Sequence, residues 1–201
     1  MHYGRKTNIL ILNDIGRSIL RYLQKNLASV FNNNISVSKH VIVPTSFYKT
    51  EKKQYDGRKL LGFLTENLTL KEAKNINLAI FDRDLFTGNL DHVFGLAAPF
   101  PRICVISIIR LHPHFKKDYF QEGLKKRKMG KFPLSVRRLT GKEKTIYYER
   151  ILKEAIHGIG HTMGLVHCNN SLCIMSPSNV LEDIDNKETR FCRSCAETAN
   201  D

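Results

Sequence analysis

Three of the chain's eight histidines fall within eleven residues, His157-Gly158-Ile159-Gly160-His161-Thr162-Met163-Gly164-Leu165-Val166-His167. Residues four apart on a helix lie one turn apart on one face, so His157 and His161 can aim their imidazoles at a common point. Gly164 supplies the left-handed conformation that ends a helix, and a chain turning there can bring His167 back to the same point. Three neutral imidazoles would give a tetrahedral zinc three ligands and leave one position open, the arrangement of a catalytic rather than a closed structural site. A histidine pair at this spacing also arises by chance. A third histidine beyond a helix-ending glycine makes metal binding the better reading.

A second constellation follows at once. Cys168, Cys173, Cys192 and Cys195 form two close pairs, C-x4-C and C-x2-C, separated by eighteen residues. Each pair can present two thiolates to one structural zinc. Two disulfides are the alternative, but the first apolar run, Ile9 to Leu12, is too short for the core of a signal peptide, and a reducing, cytoplasmic setting favours metal. The fifth cysteine, Cys104, lies in the apolar run Ile103-Cys104-Val105-Ile106 and reads as a small buried hydrophobe.

His157-x3-His161-x2-Gly164-x2-His167-Cys168-x4-Cys173-x-Met175, followed by Cys192-x2-Cys195, resembles the archaemetzincins, a branch of the metzincin zinc peptidases with an added four-cysteine zinc site. The similarity extends upstream through Phe81-Asp82-Arg83-Asp84-Leu85-Phe86, Val93-Phe94-Gly95-Leu96-Ala97 and Lys153-Glu154-Ala155, and so covers the chain from Leu78 to Cys195. The resemblance implies two zinc ions per chain. His157, His161 and His167 would hold the catalytic one, the four cysteines the structural one, and Met175 would form the Met-turn beneath the first. It further implies a metallopeptidase that hydrolyses peptide bonds by zinc-activated water, with a peptide or protein as substrate.

One position departs from that pattern. Gly158 stands where the H-E-x-x-H motif carries the glutamate that takes a proton from the zinc-bound water and passes one to the leaving amine. A glycine can do neither, and loss of a positioned general base forfeits about a hundredfold to ten-thousandfold in rate. The expectation is therefore an impaired or inactive peptidase. Glu154 precedes Gly158 by one turn, about 5.4 Å along the axis. That is too far to replace the missing group, and Glu154 reads as an ordinary first-turn or surface helix residue. Glycine also weakens a helix by roughly 1 kcal/mol relative to alanine, so no local benefit of the substitution is visible. The rival readings are a non-catalytic, zinc-stabilised protein that binds peptides, and a nucleic-acid-binding protein that uses its basic loop.

Composition bounds the rest. A chain of 201 residues with 42% hydrophobic and 25% charged content fits one domain able to bury a proper core, divided here into a sheet-and-helix part, 1–164, and a cysteine-bearing lobe, 165–201. Apolar stretches of about seven residues are too short to span a bilayer, so no membrane association is expected. The net charge of +13 is uneven: Lys116 to Arg138 holds nine basic and two acidic residues, including Lys125-Lys126-Arg127-Lys128. Without a recognisable nucleic-acid fold this reads as a solvated loop rather than a nucleic-acid contact. Nothing fixes the oligomeric state, and a monomer is the default.

The elements that must position these residues follow from periodicity. Thr7–Leu12 reads as a buried strand, Ile15–Phe31 as an amphipathic helix, Ile35–Val43 as a strand closed by Pro44, and Lys59–Asn67 as a second helix. Leu78–Phe81, Val93–Ala97 and Arg102–Ile109 continue the sheet, Lys142–Met163 forms the long histidine helix, and a short helix lies near Arg190–Ala199. This alternation predicts an α/β fold, a twisted sheet packed on helices. The resemblance makes it a metzincin-like zincin fold with mixed strands, an antiparallel edge strand bordering the cleft, and a C-terminal lobe pinned by metal.

Overall fold

The computed structural model describes residues 6–115 and 139–199. The basic segment Lys116 to Arg138, with Lys125 to Lys128, lies outside the described residues. Five strands form the main sheet: β1 (Thr7–Leu12), β2 (Ile35–Val41), β5 (Ile76–Phe81), β7 (Gly95–Ala98) and β8 (Ile103–Ser107). Their order is β2-β1-β5-β8-β7. The first four are mutually parallel, and β7 runs antiparallel along β8 at the sheet's end.

Alternation within β1, β5 and β8 sorts their side chains onto two faces. Ile9, Ile11, Leu78, Ile80, Cys104 and Ile106 join one apolar core, shared with helix α1 (Arg17–Phe31) and helix α3 (Gly141–Thr162). Leu10, Leu12, Ala79, Phe81, Ile103 and Val105 join a second, covered by helix α2 (Gly57–Glu66). Because both faces are covered, these strands read as continuous apolar runs with no visible alternation of polarity.

A second, small sheet was not legible in the sequence: β3 (Tyr48–Lys49), β4 (Gln54–Asp56) and β6 (Leu85–Phe86), in the order β3-β4-β6. Its strands have two or three residues, too few for a period to show, and β4 pairs in parallel with a segment thirty residues on, Tyr55 opposite Leu85. Its role is to seat Asp56, whose side chain accepts from the amides of Arg58 and Lys59 and starts α2.

Helix α3 is entered through a reciprocal cap. The Thr140 hydroxyl accepts from the Glu143 amide, and the Glu143 carboxylate accepts from the Thr140 amide. Its apolar residues, Tyr147, Ile151, Ala155, Ile156 and Ile159, are buried against the sheet. Beyond it the lobe contains helix α4 (Leu181–Asn186), which the sequence did not reveal, and helix α5 (Arg193–Thr198). The lobe is not held by its cysteines alone: Leu165, Ile174, Met175, Ile184 and Phe191 are buried in the same core as the sheet and α3.

The cap gives a test of how independently α3 is anchored. Thr140→Ala removes one half of the reciprocal pair and is expected to cost about 1 kcal/mol. For a chain of this size that is a fall of roughly 2–4 °C in melting temperature, with bound metal unchanged. Thermal unfolding and elemental analysis of the same samples check both, and a loss of metal would show that the cap positions the histidines rather than merely starting the helix.

Candidate metal and peptide-binding site

The three histidines meet. Their closest ligand nitrogens all lie within 4.8 Å of one another. His157 Nε2 and His161 Nε2 are 3.0 Å apart. His167 joins them because the chain leaves α3 at Gly164, whose φ of +91° is a conformation that a residue with a Cβ rarely adopts. The ring centroid of His167 lies 5.4 Å from that of His157 and 4.9 Å from that of His161.

Two of the rings are oriented by backbone carbonyls. His157 Nδ1 lies 2.9 Å from the Ile174 carbonyl, and His161 Nδ1 lies 2.8 Å from that of Leu165. A carbonyl can only accept, so each Nδ1 carries the proton and each Nε2 carries a lone pair. Protonating Nε2 as well is disfavoured. Burial, then the Lys187 charge, holds His157 down to about 3, and burial likewise lowers His161 and His167. Neutral imidazoles with lone pairs facing each other at 3.0 Å repel, and a cation between them removes that repulsion. Two nitrogens bound tetrahedrally to zinc at about 2.0–2.1 Å stand about 3.3 Å apart, close to this spacing. The donor set therefore fits zinc, and the carbonyl partners supply the outer hydrogen bonds that ligating histidines require.

The four cysteines also meet, all free and with sulfurs within 4.8 Å of one another. Cys168 Sγ and Cys192 Sγ are 3.8 Å apart, far beyond a disulfide bond. Two sulfurs at about 2.3 Å from a tetrahedral zinc stand about 3.8 Å apart. Burial pushes the Cys173 thiol up, and the amides of Met175 and Cys192, which donate to its Sγ at 3.4 and 3.3 Å, oppose that shift. The Cys192 thiol is brought down to about 7, chiefly by the Cys195 amide.

Met175 is fully buried beside Gly160 of the histidine helix, with its backbone carbonyl accepting from the Cys168 amide at 2.9 Å. It reaches that place because residue 160 is glycine: a Cβ there would collide with the Met175 sulfur. Gly160 and the two orienting carbonyls went unnoticed in the sequence, where nothing marks a backbone oxygen as a partner.

A cavity of about 850 Å³ opens over the histidines. One wall is the edge strand β7 and the segment before it, and the facing wall is Pro177, Ser178 and Asn179. Gly95, Leu96 and Ala97 line it, so the edge of β7 not paired with β8 borders the cleft. Gly158 lines it too, and no carboxylate stands there. Among the described lining residues the carboxylates are Asp91 and Glu154.

Two expectations are corrected here. Glu154 is neither a first-turn nor a surface residue. It sits in the interior of α3, 4% exposed, with Lys187 Nζ 3.3 Å from its Oε1 and Ser178 Oγ donating to the same oxygen at 3.4 Å. Burial pushes its carboxyl up, and Lys187 opposes the shift. Gly158 does have a local consequence: a Cβ on it would lie 3.2 Å from Cys104 Sγ and 3.6 Å from Ile106 Cγ2, so a larger residue would pack tightly against β8 and Cys104 would have to give by a few tenths of an ångström. Cys104 is buried as expected.

This arrangement, an α/β sheet with an antiparallel cleft-side strand over a histidine triad, defines a zinc metallopeptidase. The signature of Peptidase family M54 matches residues 117–200. The chain is 31% identical over 188 residues to the archaemetzincin of Methanocaldococcus jannaschii, covering 94% of this chain and 89% of that one. It is 28% identical over 193 residues to that of Halobacterium salinarum, covering 96% and 98%. Among solved structures, the archaemetzincin of Methanopyrus kandleri superposes with a TM-score of 0.74 at 27% identity, covering 98% of this chain and 94% of that one. The Archaeoglobus fulgidus archaemetzincin complexed with malonate gives 0.71 at 26%, covering 96% and 99%. The chain belongs to the archaemetzincin family.

The buried pair beneath the site yields a stability test. Lys187→Met leaves the Glu154 carboxylate in the interior without its cation, and is expected to destabilise the fold by about 3–5 kcal/mol. Urea unfolding at saturating zinc measures it, and a change below about 1 kcal/mol would mean that the pair is not coupled.

Proposed function

We propose that His157, His161 and His167 hold the zinc of this metallopeptidase, that Cys168, Cys173, Cys192 and Cys195 hold a second, structural zinc, and that the peptidase as it stands is impaired because position 158 offers no proton acceptor. The observation that carries the reading is the pair of Nδ1 to carbonyl contacts, which turns two imidazole lone pairs toward one point. When bound, zinc supplies Lewis acidity toward a peptide carbonyl and makes a nucleophile of water near neutral pH. The protein's own residues do the rest. The outer edge of β7 offers backbone groups to which an extended peptide can add as a further strand. Met175 supports the triad from below, and the 1–164 and 165–201 parts together form one domain, since residues of both share a core. Glu154 does not take over the missing role, because its carboxylate is engaged by Lys187 and Ser178 one turn away from Gly158.

No helix among the described residues is long and apolar enough to cross a membrane, in keeping with a cytoplasmic peptidase acting on peptides or proteins. The loss of the proton acceptor favours one rival, a peptide-binding protein that keeps the cleft and has given up turnover. The packing of Gly158 on Cys104 is consistent with a fold already adapted to glycine.

Elemental analysis tests the metal reading: two zinc per chain, one lost in His161→Ala and the other in Cys192→Ser. One zinc in the parent protein would remove one of the two sites. Restoring the acid–base group tests the catalytic reading. Gly158→Glu brings its Cβ to 3.2 Å from Cys104 Sγ, so it is made both alone and together with Cys104→Ala, which relieves that contact. The double variant is expected to raise turnover on a peptide library by about a hundredfold or more, with zinc content unchanged. A double variant that binds two zinc and peptides yet cleaves none would favour the binding protein.

A further inference from the structure

The cavity lining carries chemistry that neither zinc binding nor the missing base uses. Glu154 lines the cavity although only 4% exposed. Both Lys187 Nζ and Ser178 Oγ approach its Oε1, and Oε2 has no hydrogen-bond partner among the described residues. Lys187 itself is fully buried and also donates to the Ser176 carbonyl at 3.1 Å, so the ammonium is fixed rather than free to follow a ligand.

Helix geometry gives the depth. Positions 154, 158 and 161 share one face of α3, and Glu154 lies three residues, about 4.5 Å of rise, before His157. A peptide side chain entering beside the metal and running along this face reaches the carboxylate if it is three or four heavy atoms long.

We propose that Glu154, backed by Lys187 and Ser178, is the floor of a side-chain pocket that selects an uncharged hydrogen-bond donor, a primary amide of glutamine length, in the peptide residue that follows the metal-bound carbonyl. This rests on the zinc-site reading above and adds the substrate class. The charge balance decides among side chains. An apolar side chain would seal Oε2 away from water without a donor, leaving a buried acceptor unsatisfied. A carboxylate would face that oxygen with like charge. An ammonium would meet Lys187 with no second anion at the floor, since Asp91, the cavity's other carboxylate, is exposed. A primary amide supplies the donor at no cost in charge.

The test is direct binding to the zinc-loaded protein by calorimetry, so it does not depend on turnover. Four succinyl hydroxamates are compared, identical except that the side chain next to the metal-chelating group is that of glutamine, glutamate, lysine or leucine. The glutamine compound is expected to bind at least about tenfold more tightly than each of the others. In Glu154→Leu combined with Lys187→Met, an apolar replacement of the pair that removes the acceptor oxygen, its advantage over the leucine compound is expected to vanish. Equal or tighter binding of the leucine, lysine or glutamate compound to the parent protein overturns the proposal, as does an advantage that persists in the double variant. Tight binding of all four without preference removes the pocket and leaves the zinc site standing. Binding of none removes both.

Discussion

The site depends on a hydrogen-bonding constraint that reaches it from outside. A backbone carbonyl can accept but not donate, and by placing the oxygens of Ile174 and Leu165 against two Nδ1 atoms the fold determines where the imidazole lone pairs point. The same two contacts tie the turn and the C-terminal lobe to the histidine helix. The lobe's apolar side chains, led by Ile174 and Met175, then have to enter the core that the helix shares with the sheet. Ring orientation, lobe docking and core packing are thus one arrangement, and moving any of them moves the lone pairs.

Around that arrangement the interior is tuned by size. Glycine at 160 admits the Met175 sulfur against the histidine helix, and glycine at 158 leaves room for Cys104 from β8. The first close contact anchors the lobe on the histidine helix. The second would put a Cβ at position 158 in tight contact with the Cys104 sulfur, 3.2 Å away, which a shift of a few tenths of an ångström relieves. Reactivity at position 158 is therefore a property of a helix–strand contact as much as of one residue, which is why the substitution and its neighbour belong together in any account of activity.

The buried Glu154–Lys187 pair shows a different use of the interior. Taking both ions out of water is expensive, and a well-packed apolar pair would serve stability as well or better. The place of Glu154 in the cavity lining gives the pair an alternative use: it presents an acceptor oxygen to whatever enters, while the net charge of the pair stays near zero. A peptide paired along β7 would be held by its backbone, leaving discrimination between side chains to such pockets.

Much of this was legible in the residues themselves. The spacing of His157, His161 and His167, with Gly164 between, and the paired cysteines are local patterns, and helical geometry or short-range spacing is enough to bring their members together. The strands of the main sheet and the three long helices likewise announce themselves by runs and periods set by neighbours in sequence. Only the folded chain decided the contacts between distant segments. These are the strands of three and two residues that pair across thirty positions, the helix Leu181–Asn186, the burial of Glu154 by a lysine thirty-three residues away, and the packing of Gly158 on Cys104. The physical reason is the same in each case. A local pattern reports what a segment can do with its own geometry, whereas a backbone oxygen, a counter-ion or a tight contact supplied from elsewhere leaves no mark on the sequence of the segment that receives it.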